Sequence, residues 1–316
     1  MGVFVFLPLV LPLTALPIVR LAEQHLHPRG ATRLLTVFGC VLALCSTLCL
    51  GLLMVVGTAQ LPGNPLPDGW SDPEVRAMVP FPELTGSAAI VALAGVLGAC
   101  AVAVRRHYRV RARARRALAG VPEDPAVLPD AEPYAYALPG RRSGPRGARG
   151  GRVVVSSGML EGLAEDEREA LLAHERAHLT AGHHRFLLLV RLAGCANPLL
   201  RPLRSAVAYG AERWADEEAA GAVGDRRAAA RAVAKAALVS RGGPVPELAG
   251  FAAAGPVPRR VAALLGPVPP DRGWPPTTSR AGLAAMVAAV GTTASALSSL
   301  NATTALFLVL QATASL

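Results

Sequence analysis

The stretch Glu165-Asp166-Glu167-Arg168-Glu169-Ala170-Leu171-Leu172-Ala173-His174-Glu175-Arg176-Ala177-His178-Leu179-Thr180 decides how this chain is read. Within it, His174-Glu175-Arg176-Ala177-His178 forms an H-E-x-x-H pattern. On a helix, positions i and i+4 lie on one face, so both imidazoles are able to close on one Zn²⁺ at ~2.0–2.1 Å. Glu175, one residue on from His174, is placed to act as general base toward a water activated by that ion. The flanking residues favour the helix. Three acids at 165–167 suit the positive end of the helix dipole, and residues 170–173 supply helix formers and an apolar stripe.

A second segment, Ala211-Glu212-Arg213-Trp214-Ala215-Asp216, places Glu212 and Asp216 on one helical face. A third zinc ligand and a carboxylate that orients a ligating histidine need that arrangement. Alone, E-x-x-x-D describes any solvated acidic face. Four of the seven histidines fall in 174–184, however, and the two segments together favour a zinc site. His184, six residues after His178, is the rival third ligand. The class of zinc site with three histidines also places a glycine three residues after the second one. Here the glycine is Gly182, four residues after it. Glu212 is therefore the better third ligand, with His183 and His184 outside the ligand set.

The composition points to a membrane. Apolar residues gather in long charge-free runs, and Lys235 stands as the only lysine against 31 arginines (32 − 1), which reads as codon bias. The net charge of +10 is compatible with nucleic-acid binding, but the arginines concentrate beside apolar segments, which argues against it. Cys40, Cys45, Cys49, Cys100 and Cys195 include no Cys-x-x-Cys pair and read as small buried hydrophobes.

Residues 3–19 form a first apolar run, interrupted by Pro8, Pro12 and Pro17 and not preceded by a basic region, so a retained span is expected rather than a cleaved signal. Residues 34–58 give 25 residues without a charge, residues 86–104 a third run, and residues 281–316 a last stretch of 36, expected to cross once. Arg20, Arg29 and Arg33 mark 20–33 as cytoplasmic. The acidic 59–85 segment reads as external, and seven arginines between Arg105 and Arg116 return the chain to the cytoplasm. The expected division is a membrane region 1–104, a cytoplasmic region 105–280 and a final span 281–316.

Within 105–280, residues 121–133 read as a linker, Tyr134–Leu138 and Arg152–Ser156 as two strands, and 139–151 as a mobile loop between them. The motif helix is expected over 165–184, followed by an apolar segment, Phe186–Leu200, that is core or interfacial. Further helices are expected over 203–221, Arg226–Ser240 and Pro258–Leu265, then a proline-rich connector at 267–276.

Taken together, Arg152-Val153-Val154-Val155-Ser156-Ser157-Gly158-Met159-Leu160, the acid-rich helix start, His174–His178 and Glu212-x-x-x-Asp216 resemble membrane zinc peptidases of the gluzincin type. The pattern of spans is most similar to the BlaR/MecR antirepressor peptidase family, with the HtpX heat-shock and CAAX prenyl proteases second. The resemblance implies a mainly α integral membrane protein, with about four transmembrane helices and a cytoplasmic α+β zinc peptidase domain. It implies His174, His178 and Glu212 as zinc ligands, Glu175 as base and proton shuttle, and Asp216 as the partner of a ligating histidine. It also assigns Arg152, Val153, Val154, Val155 and Ser156 to substrate binding by β-augmentation. Tyr209, His183, His184, Arg259 and Arg260 are candidates for steadying the oxyanion. The β-lactam sensors of that family carry a Ser-x-x-Lys acylation site. Lys235 is preceded three residues earlier by Ala232, so a signal is expected from the 59–85 loop or from the membrane.

The expected activity is zinc-dependent cleavage of a cytoplasmic or membrane-proximal protein, for this family a winged-helix repressor in a signalling pathway, by an enzyme resident in the cell membrane. The alternatives are a quality-control membrane peptidase and a non-catalytic zinc-binding sensor or scaffold. Glu175 favours an enzyme, because a structural zinc site needs no base and tends to close all four positions with Cys or His.

Overall fold

Prolines shape the beginning of the chain. Pro8, Pro12 and Pro17 divide the first apolar run into α1 (Leu7–Val10), a 3₁₀ turn (Leu11–Thr14) and α2 (Ala15–His25), since proline lacks the N–H that an interior helical turn uses. Pro28 and Pro82 then sit in first turns, where that N–H has no partner to lose. They open α3 (Pro28–Thr58) and α4 (Pro82–Ala117). The computed structural model describes residues 5–59, 63, 73, 79–121, 123–140, 151–240, 256–269 and 278–314. Most of the 59–85 loop, residues 141–150 of the loop between the strands, and most of the proline-rich connector lie outside the described residues.

After α4 come the strands β1 (Ala126–Leu128), β2 (Ala135–Leu138) and β3 (Arg152–Ser156). The helices α5 (Ser157–Glu161), α6 (Glu165–Ala181), α7 (His183–Ala196), α8 (Pro202–Val223), α9 (Arg226–Val239), α10 (Val257–Leu265) and α11 (Arg280–Ala314) follow. Among the described residues, four helical segments are long and apolar enough to cross a membrane: Leu7–His25, Pro28–Thr58, Pro82–Ala117 and Ala285–Ala312. The last stretch is one unbroken helix, which bears on whether it crosses once or twice. α4 runs without a break across residues 104 and 105, so the third apolar run and the arginine run are one helix of 36 residues. At 1.5 Å per residue it measures about 54 Å, well over the ~30 Å of a hydrocarbon core. Gly57 of α3 and Gly86 of α4 meet at their backbones. A Cβ built on Gly57 would lie 2.4 Å from the Gly86 Cα. Small residues at a crossing are how membrane helices approach this closely.

The largest core joins the spans to the later helices. Ile18 of α2, Leu35, Phe38 and Leu42 of α3, Val190 of α7, and Leu203 and Val207 of α8 pack into one cluster. The apolar segment after residue 185 is thus core. α8 carries Glu212 about one and a half turns beyond Val207, so the helix that presents the carboxylate is anchored directly on the spans.

The three strands form one sheet in the order β1-β3-β2, with β1 parallel and β2 antiparallel to β3. Successive β3 side chains point to opposite faces. Val154 packs with Leu118, Ala126 and Tyr136 at the end of α4, and Val155 packs with Met159, Leu163 and Leu171 on the α6 side. Both faces are covered, which explains the unbroken valine run. β1 falls inside the stretch expected to be a linker; three residues with no alternating pattern leave little periodic signal.

Two expectations change here. β3 is hydrogen-bonded on both sides, and Val153, Val154, Val155 and Ser156 are fully buried, so Arg152–Ser156 has no free edge for a substrate strand. Among the described residues the open edge on this side belongs to β2. The motif helix also stops earlier than 184. Gly182 adopts φ +68°, a left-handed conformation suited to glycine, and ends α6 at Ala181. His183 and His184 therefore begin the next helix.

Candidate metal centre

α6 begins with its acids in place. The Glu167 carboxylate accepts the Ala164 backbone N–H at 2.9 Å, which ties the first turn, and Lys235 of α9 donates to the same carboxylate at 2.7 Å. From this fixed start, the i and i+4 spacing carries His174 and His178 to one face against α8. Both rings are buried.

Three buried side chains converge. The Nε2 atoms of His174 and His178 lie 3.1 Å apart. Glu212 Oε2 lies 3.4 Å from His174 Nε2, and Glu212 Oε1 lies 3.5 Å from His178 Nε2. Donors on a tetrahedron about 2.0–2.1 Å from its centre are separated by roughly 3.3 Å, so the triangle has the size zinc requires. Two imidazoles and one carboxylate match the donor set that a catalytic zinc takes, three protein ligands with a fourth position open. His174, His178 and Glu212 are thus brought together as a group able to hold a metal ion. His184 is not in it.

Each histidine is held from behind. His174 Nδ1 lies 3.1 Å from Asp216 Oδ1, and Asp216 is fully buried. His178 Nδ1 lies 2.7 Å from His183 Nδ1. His183 is buried against the Trp214 ring, 4.8 Å between centroids. Burial, with His174 and His184 adding to it, lowers the His183 pKa to about 3, so His183 is neutral. A His178 that offers Nε2 to a metal keeps its proton on Nδ1 and donates it to His183. The sequence left His183 between the oxyanion candidates, a place behind a ligand and the surface; the turn at Gly182 puts it behind His178.

Arg260 of α10 closes the group. Its Nε donates to Asp216 Oδ2 at 2.9 Å and its Nη2 to Asp216 Oδ1 at 2.6 Å, while Nη1 pairs with Glu212 Oε2 at 2.9 Å. Burial opposes an ionised Asp216, but Arg260 and His174 outweigh it and hold the carboxyl well below the usual range. Three of its five N–H donors are directed at the two carboxylates, so Arg260 fixes Asp216 and Glu212 in place. Arg259 stacks over the Tyr209 ring at 4.5 Å, and neither residue is among the described residues that line the two cavities onto which Glu175 opens.

Glu175 is buried beside the triangle, and its Oε2 has no hydrogen-bond partner among the described residues. Burial, with Glu212 adding to it, raises its pKa to about 7, against lowering by His174, Arg260 and the Ala137 backbone N–H. A carboxylate tuned to neutrality, with a free oxygen next to a metal position, suits proton transfer.

Two cavities share this group. One, about 330 Å³, is lined by Tyr134, Ala135, Met159 and the alanines of α9. The other, about 540 Å³, is lined by Ala137, Pro139, His184 and arginines of α4, α7 and α8. Glu175 and Glu212 line both, and β2 runs from the first to the second.

Residues 103–194 match the model for peptidase family M48. The match includes His174, Glu175 and His178 and ends before Glu212 and Asp216. Comparison with curated proteins and with solved structures gives no match. Over 103–194 the chain is thus similar to the metallopeptidases of family M48, a likeness that supports a membrane-helix-bearing metallopeptidase.

Proposed function

We propose that the protein is a zinc-dependent endopeptidase of the cell membrane that cleaves a cytoplasmic or membrane-proximal protein. The observation that carries this reading is the buried His174–His178–Glu212 triangle with the partnerless Glu175 oxygen beside it. A zinc ion held by His174, His178 and Glu212 would supply Lewis-acid polarisation to a water and to the peptide carbonyl. Glu175 accepts the proton of that water and returns it to the leaving amide nitrogen. Asp216 and His183 keep the two imidazoles in the orientation and tautomer that ligation needs, and Arg260 fixes Asp216 and Glu212. The substrate lies extended along β2, whose Ala137 N–H faces Glu175.

The cytoplasmic placement rests on the arginines at 20–33 and 105–116. The resemblance to BlaR/MecR peptidases supports a winged-helix repressor as the substrate, with the chain itself making no contact with nucleic acid.

The deciding experiment is Glu175→Gln, which keeps size and hydrogen-bonding reach and removes basicity. The purified variant is expected to bind zinc as the wild type does. Release of the new N-termini that the wild type generates in a membrane extract should fall at least ~10²-fold. Cleavage at the wild-type rate by the zinc-loaded variant would end this reading.

A further inference from the structure

The 540 Å³ cavity holds cationic groups in excess of what the metal centre uses. Arg111 of α4 lines it and is 8 % exposed. Its Nη1 pairs with His107 Nε2 at 3.0 Å and its Nη2 donates to the Pro139 carbonyl at 3.4 Å, while its Nε has no partner. Arg115, one turn on, donates to the carbonyls of Pro139 and Gly140 at 2.8 and 3.0 Å, and its Nε is also unpartnered. Among the described residues neither guanidinium meets a carboxylate. Arg191, Arg201 and Arg204 line the same cavity, and among the described residues its only acids are Glu175 and Glu212. A buried guanidinium without an anion is costly, and the planar, forked donor set of arginine matches a carboxylate.

The location says where that anion comes from. Pro139 and Gly140 follow β2 directly, so Arg111 and Arg115 clamp the end of the sheet edge that passes Glu175. A chain extended along β2 has the alanine-lined cavity at one end and the arginines at the other. Because Glu175, His178 and Glu212 form part of the cavity wall, its occupant is continuous with the bond being cut. A lipid phosphate would need no such continuity.

Resting on the peptidase reading above, we propose that this cavity is a subsite for a carboxylate of the substrate peptide, on a side chain or at the C terminus, with Arg111 as its principal donor. The enzyme then selects substrates with an acidic group a few residues from the scissile bond, on the side toward Pro139, and an apolar stretch on the other side.

The test uses the full chain carrying Glu175→Gln, loaded with zinc, in detergent micelles. The probes are fluorescein-labelled decapeptides of Ala and Leu with one Glu, or one Gln at the same position, each with a free or amidated C terminus. By fluorescence anisotropy the acidic peptides are expected to bind at least about tenfold more tightly. A Glu-over-Gln preference assigns a side-chain carboxylate, and a free-acid-over-amide preference assigns the terminus. In Arg201→Glu/Arg204→Glu, at exposed positions of the cavity wall, the ratio should fall to about one. Arg111→Met, checked for unchanged zinc content, should abolish it as well. Equal or absent binding of all four peptide types, or a preference that survives both variants, overturns the proposal. So does a preference that is present in nanodiscs of phosphatidylcholine and lost when phosphatidylglycerol is added, since a lipid phosphate would then occupy the cavity. Wild-type cleavage of the Gln peptides without acidic preference would leave the peptidase reading standing. Acidic preference without any cleavage would do the reverse.

Discussion

Replacing Arg260 by methionine is the sharpest perturbation of the metal centre that touches no ligand. The side chain keeps its length roughly and loses three contacts, at 2.9 and 2.6 Å to Asp216 and at 2.9 Å to Glu212. Asp216 is fully buried and Glu212 is 2 % exposed, so neither carboxylate is able to turn to water. Among the described residues the nearest guanidinium that remains is that of Arg213, whose Nη1 is 3.8 Å from Asp216. Breaking a buried pair by removing one partner costs about 3–5 kcal/mol, which lowers the melting temperature by on the order of 10 °C. The loss should depend on metal. A zinc ion at Glu212 and His174 restores part of the missing positive charge, so EDTA should depress the melting temperature of Arg260→Met more than that of the wild type. Differential scanning fluorimetry with and without EDTA, alongside zinc content by mass spectrometry, measures both effects. A variant that melts within about 1 °C of the wild type and responds equally to EDTA would show that Arg260 is not the counter-charge of the site.

Other expectations follow from neighbouring contacts. Asp216→Ala and His183→Ala should each weaken zinc binding about 10–100-fold, while His184→Ala leaves it near the wild-type value; competition with a fluorescent chelator ranks them. The Glu167 carboxyl is raised by burial but lowered more by Lys235 and the Ala164 N–H, so its folded pKa lies below the ordinary 4.5. The stability it contributes is therefore present above that pH and lost as pH falls below it, and Lys235→Met should flatten the acid limb of a melting-temperature profile. Reporter fusions after residues 75 and 130 should read outside and inside respectively, and the opposite pattern would remove the cytoplasmic substrate.

The sequence by itself singled out the residues that meet at the candidate metal centre, because each half of the pattern is local. H-E-x-x-H and E-x-x-x-D each need only one helix to put their members on one face, and helical spacing is readable without a fold. The candidate spans were equally legible, since charge-free length is a property of the chain alone. Tertiary structure decided what depends on turns and pairing. A left-handed Gly182 moved His183 from the end of one helix to the start of the next, and so placed it behind His178. Strand order made β3 the covered centre of the sheet and gave the open edge to β2, which no alternation in five or fewer residues specifies. Arg260, 44 residues beyond Asp216, reaches the site only because α10 packs beside α8 and α9. The pairing of a buried carboxylate with a distant guanidinium is fixed by the packing of whole helices, and nothing in the local sequence encodes it.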